Sequence, residues 1–332
     1  KIALVADGMG ILTINGTVSS NAGAILIGAG GGSTVSVNKA LTTTGTVNGY
    51  VVIYATGAQT NSINFSKDAT ITSAAEVIFK ILNPVNTVSF ASGANISAAD
   101  RITDGGTGSG NLTLANNLTT SNGLISFNTV SVNLAGAVSM KAGGQAGNIN
   151  LGNTNGAQNL TLETTGNIVA YSSTAIGGST PLNSLTVVNS SNSVFLNLNS
   201  ASVTISDTTN SIYFNGNTVI SKSLTTTTEG YSVSFINGKT AVISGAPVFL
   251  NTGNVILQGT TSLPGGATIT GGPSTHANLA GSIVSGGAFN IGSGISSINI
   301  SDNTQLILNS TSAGSTFASP ISLNSTNPGS FK

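Results

Sequence analysis

Polar and apolar residues alternate along this chain in short bursts. ILTING (11–16), STVSVN (33–38), NSINFS (61–66), NLTLAN (111–116), ISFNTVSVNLAG (125–136), SVFLNL (193–198), YSVSFING (231–238) and QLILNS (305–310) follow one rule. Val, Ile, Leu or Phe takes every second position, with Ser, Thr or Asn between. A period of two puts the apolar side chains on one face of a strand. Gly, Asn or Ser pairs interrupt the runs at intervals of about 8 to 12 residues, the signature of an all-β chain. Helical periodicity is nearly absent. The exception, SAAEVIFKIL (73–82), carries Ala, Glu and Lys that suit a short helix. Its Val, Ile, Phe and Ile favour a strand.

A sandwich or barrel would be stretched to absorb about twenty-five such strands. Loose self-similarity argues for stacking instead. GAQTNSINFS (57–66) and GAQNLTLETT (156–165) share a lead-in and a strand. GNINLGN (147–153), GNIVAYS (166–172) and GNVILQG (253–259) share a Gly-Asn start, and LTTTGTVNGYVV (41–52) loosely matches LTTTTEGYSVSF (224–235). Similar units without a rigid period describe a solenoid whose coils vary in length. The predicted fold is an all-β, right-handed parallel β-helix forming one elongated domain over residues 1–332. Coils of roughly 20–25 residues would number about 13 to 16 and, at about 4.8 Å each, build a rod of about 60–75 Å.

Composition sharpens this picture. The 332 residues hold 9 Lys+Arg and 9 Asp+Glu, so charged residues are 5% and the net charge is zero. An ordinary globular domain has about 25%. Ser, Thr, Asn and Gly must therefore hydrate the surface. In a stack of near-copies a repeated charge would meet itself, and like charges directly opposite destabilise a sheet. Zero net charge leaves no footprint for nucleic acid or an anionic membrane, and no apolar run approaches the roughly 20 residues of a membrane-spanning helix. The hydrophobic fraction, 39%, is too high for a disordered chain. The absence of Cys removes disulfides and thiolate metal sites and suits a long exported chain. The first residue is Lys1 and KIALVADGMGIL already reads as strand and turn, so we expect a processed form or a segment of a longer chain.

Residues 156–189, GAQNLTLETTGNIVAYSSTAIGGSTPLNSLTVVN, add a resemblance. GAQ plus a strand, then TGNI, then a turn-to-strand arrangement of Gly177, Gly178, Thr180, Pro181, Leu182 and Leu185 resembles repeats of filamentous-haemagglutinin-like bacterial surface proteins. These are exported by two-partner secretion or as autotransporter passengers. The resemblance implies a β-helical passenger at the cell surface, acting in adhesion, aggregation or biofilm. It covers about a tenth of the chain, and neither a secretion-domain motif nor a membrane-barrel segment accompanies it.

Chemistry is sparse. An enzyme needs ionisable groups brought together, and the one local cluster is AADRITDGG (98–106), with Asp100, Arg101 and Asp104. The two aspartates suit flanking a sugar or holding Ca²⁺ with backbone carbonyls. They equally suit a turn in which they accept backbone hydrogen bonds, with Arg101 as local counter-charge, and we adopt that reading. His276, in GGPSTHANLAG, has Ser274 near but no acid to orient it, and reads as an exposed turn residue. GAGGGS (28–33) and DGGTGSGN (104–111) match no phosphate-binding loop and read as tight turns. LTTTG (41–45) and LTTTTEG (224–230) are too far apart to form a threonine ladder. Sequons at Asn15, Asn95, Asn111, Asn117, Asn159 and Asn299 leave glycosylation open. Phe65, Phe90, Phe127, Phe195, Phe214 and Phe235 alternate as core residues do. Tyr50, Tyr54, Tyr171, Tyr213 and Tyr231 suit sugar stacking wherever they face out.

The expectation is a non-enzymatic extracellular stalk or filament subunit that associates with itself, with glycans or with matrix proteins. It needs no cofactor, nucleic acid or membrane insertion. The competing readings are a carbohydrate-active β-helix of the tailspike or polysaccharide-lyase kind and a surface-layer or sheath subunit.

Overall fold

The computed structural model describes residues 1–46, 48–106, 108–144, 147–170, 175–236, 238–309 and 314–324. Every regular element among them is a β-strand, and every strand pairing is parallel, as in Ile2–Ala6 on Ile25–Ala29 and Ser62–Phe65 on Thr87–Phe90. This is a parallel β-solenoid. The chain forms two compact units, Lys1–Thr180 and Pro181–Lys332.

In the first unit each coil contributes three short strands to three faces. The first face stacks eight, from Ile2–Ala6 through Val51–Ala55 and Arg101–Thr103 to Ile168–Ala170. The second begins at Ile11–Ile14 and the third at Val18–Ser20. One coil is 26 residues where Val51 stacks on Ile25 and 19 where Ile168 stacks on Ile149. Strands on the first face shorten from five or six residues to three along the unit and the corners vary too, which is why no rigid period shows in the sequence. With eight coils at about 4.8 Å, this unit rises about 35 Å.

The alternating residues point inward as predicted. Ile25, Val51, Val77, Ile102, Ile125, Ile149 and Ile168 occupy one register column, and all are fully buried. Each such side chain contributes about 1.5–3 kcal/mol through burial. The ambiguous segment 73–82 contains the strand Glu76–Ile81. Val77, Phe79 and Ile81 are all 0% exposed, so a period of two overrode the helix formers. The six phenylalanines are all buried. Phe65 stacks on Phe90 with centroids 4.3 Å apart, one coil above the other.

Some polar groups inside the corners are satisfied along the axis. Asn61 Oδ1 accepts from the Gly32 and Ser33 amides of the coil below, and Asn86 Oδ1 accepts from the Asn61 amide. The sharp turn in GAGGGS depends on Gly31 and Gly32, at φ +60 and +88, a region that penalises a Cβ.

In the second unit the second and third faces run together as long strands, Leu182–Asn189, Leu198–Ile205 and Thr218–Thr226, with a register slip between Ser200 and Ser202. They separate again at Thr240–Ile243 and Val248–Phe249. Its first face carries a column of Phe195, Phe214 and Phe235, and the last two stack at 4.6 Å. Gly216 sits where a Cβ would fall 1.0 Å from the Leu196 carbonyl oxygen. Close approach of successive coils, rather than a special φ, requires glycine there.

Candidate functional site

The most regular surface is the outward side of the second face in the first unit. Thr34, Ser62, Thr87, Asn111 and Ser131 form one column over five successive coils. Ser36, Asn64, Ser89, Thr113 and Asn133 form a second beside it. Strand geometry spaces these columns about 6.6 Å apart and the rungs about 4.8 Å. All ten residues are neutral donors and acceptors. Sequence reasoning missed this array by looking for threonine runs. The signal lay in tetrapeptides, TVSV, SINF, TVSF, NLTL and SVNL, one per coil.

Three ion pairs among the described residues join neighbouring coils. Lys141 Nζ lies 2.6 Å from Glu163 Oε1, its register partner. Lys39 Nζ is 3.7 Å from Asp68 Oδ2. Arg101 Nε donates to Glu76 Oε1, again a register partner. This corrects the expected pairing, since the counter-charge of Arg101 is Glu76 of the coil below and not the adjacent aspartates.

The structure also separates those aspartates. Strand Arg101–Thr103 lies between them, which puts their Cα atoms roughly 13 Å apart at extended rise. Asp104 is 2% exposed at the corner leading to the second face. Its Oδ1 accepts from the Gly106 amide. Its Oδ2 accepts from the Thr129 amide, the Thr129 hydroxyl and the Val130 amide of the next coil. With these donors the carboxylate ties one corner to the next. Asp100 is exposed at the opposite corner, so the two do not flank a common substrate position.

Beside Asp100 opens a concavity of about 430 Å³, lined by Asp100, Arg101, Asn122, Gly123, Leu124, Asn148 and Asn150. Gly123 forms part of its floor because a Cβ there would lie 1.9 Å from the Asp100 carbonyl oxygen. Among the described residues no three His, Cys, Asp or Glu side chains come together as a metal site.

His276 stands in strand His276–Leu279, half-buried, not in an exposed turn. Its Nδ1 is 2.8 Å from Ser297 Oγ, one coil on, and Ser297 Oγ donates to Asn299 Oδ1. Ser274 is not its partner. Tyr54 is half-buried and lies across Gly28, where a Cβ would meet its ring at 2.2 Å. Tyr50 and Tyr213 are half-buried. Tyr231 is a core residue at 0% exposure. Its hydroxyl donates to the Ile205 carbonyl and accepts from the Thr227 amide, and burial raises its pKa above 10.0. Tyr171 lies outside the described residues. Asn95 and Asn117, two of the sequon asparagines, accept backbone amides of the following coil through Oδ1.

The chain matches no protein-family model, no curated protein and no solved structure.

Proposed function

We propose that this chain is a non-enzymatic, extracellular β-helical shaft that acts in adhesion or cell–cell association, in the manner of filamentous-haemagglutinin-like surface proteins. The observation that supports this reading is the neutral two-column array over five coils of the second face. A stiff backbone ladder holds its hydroxyls and amides at fixed spacing, so contacts that are weak one at a time add through multivalency. Glycans, matrix polymers and copies of the chain itself are the partners such a surface fits. With zero net charge the chain has no electrostatic means of gathering nucleic acid.

The test places Lys at Ser36 and Thr113, two non-adjacent rungs of one column. Retention of purified protein on polysaccharide-coated beads is compared for both forms, with circular dichroism as a folding control. The reading expects retention to fall at least about tenfold, as a broken multivalent surface should. Equal retention by a folded double variant would remove the array as the adhesive surface. Electron microscopy of the same preparation tests assembly, with fibres expected rather than single particles.

A further inference from the structure

We propose that the concavity beside Asp100 is a subsite for one or two rings of a neutral oligosaccharide, distinct from the extended array of the second face. Its volume, about 430 Å³, falls in the small-molecule range of roughly 300–1,000 Å³. Its lining is a set of hydroxyl-recognition groups around a small apolar patch. Register stacks Arg101, Leu124 and Asn148 in one column, with Asp100 and Asn122 on the corner beside it and Asn150 on the next column outward. Leu124, half-buried, offers the one aliphatic surface, against which the C–H face of a sugar ring packs.

The polar groups are placed and available. Asp100 is exposed and its carboxylate has no protein partner among the described residues, so both oxygens remain free to accept. Arg101 spends Nε on Glu76, which fixes the guanidinium and leaves its terminal N–H groups as donors. Asn148 Oδ1 accepts from the Asn167 amide, which leaves its Nδ2 to donate. Asn122 and Asn150 add two more amides.

Charge narrows the ligand class. Glu76 already balances Arg101, and Asp100 leaves the site with a net negative charge. Phosphate, sulfate and uronate groups would meet repulsion there. Among the described residues the lining has no aromatic ring for a nucleobase and only one aliphatic side chain, too little for a lipid or an apolar peptide. A neutral, hydroxyl-rich ligand matches alternating donors and acceptors, as a sugar does.

This inference rests on the adhesive reading and specifies a ligand for it. The experiment titrates the folded chain with maltotriose, cellotriose and mannotriose, and with trigalacturonate as the acidic comparator, by saturation-transfer NMR and calorimetry. At least one neutral trisaccharide is expected to bind saturably, and more tightly than trigalacturonate. Asp100→Ala with Asn122→Ala, neither side chain having a hydrogen bond to the protein among the described residues, should weaken that binding at least tenfold without changing the unfolding temperature. No saturable binding, tighter binding of trigalacturonate, or binding unaffected by the double variant would overturn the subsite. The bead-retention assay separates the two ideas. Loss of the subsite with retention intact leaves the adhesive reading standing, whereas failure of the array variant to reduce retention strikes that reading alone.

Discussion

At the scale of single residues, the molecule shows how few titratable groups it lets inside. Asp104 is admitted because four donors from two corners surround its oxygens. Tyr231 is admitted as a neutral phenol. Its burial is the largest cause of a pKa raised above 10.0, and this carries a pH dependence. In the unfolded chain the phenol ionises near 10.0, whereas the folded protein keeps it protonated to higher pH. Above that value the unfolded state binds fewer protons, so stability falls as pH rises. The contribution is complete below pH 10.0 and declines until the folded pKa is passed. We expect the unfolding temperature to fall as pH rises past 10.0. Tyr231→Phe should be less stable at neutral pH by about 1 kcal/mol for its lost hydrogen bonds, but should show a shallower alkaline decline. Parallel alkaline declines for the two proteins would show that the buried phenol does not set the slope.

At the scale of strands and coils, register decides what each surface residue meets. The sequence argument held that stacked near-copies avoid charge, and the ion pairs of the described surface follow the same logic, with opposite signs on neighbouring coils. The Lys141–Glu163 pair is substantially exposed, so removing it costs little, about 0.5 kcal/mol or less. Lys141→Glu is different, because it places two carboxylates in direct cross-strand register. It should destabilise the protein by about 1 kcal/mol, seen as a drop of about 2 °C in unfolding temperature. Adding Glu163→Lys to that variant should restore most of the loss. A stable single variant, or a double variant no better than the single, would dissociate charge avoidance from stacking.

At the scale of the whole molecule, stability comes from aliphatic ladders and hydrogen bonds rather than from charge. The three ion pairs given by the described residues are each at least partly exposed and together contribute little. Raising sodium chloride to about 1 M shortens the screening length to about 3 Å, yet should move the denaturant midpoint by no more than the equivalent of about 0.5 kcal/mol. A large destabilisation by salt would mean that the neutral surface hides a significant electrostatic contribution. The same neutrality underlies the proposed function, since a face of hydroxyls and amides binds as well in brine as in dilute buffer.

The sequence by itself determined that this chain is all-β and coiled, because a period of two puts the apolar side chains on one face of each strand and the many loosely repeated units bury those faces by stacking. It also determined the core, down to the phenylalanines, and the neutrality of the surface. Only the tertiary structure decided which residues share a column, since corners of unequal length erase any fixed period. That is why the array on the second face escaped a search for threonine runs, and why Arg101 belongs to Glu76 although Asp100 is its neighbour in the chain. It also decided that Asp104 faces inward while Asp100 opens onto a concavity. Adjacent positions in a sequence fall on opposite sides or ends of a strand, whereas residues 18 to 30 apart come into contact.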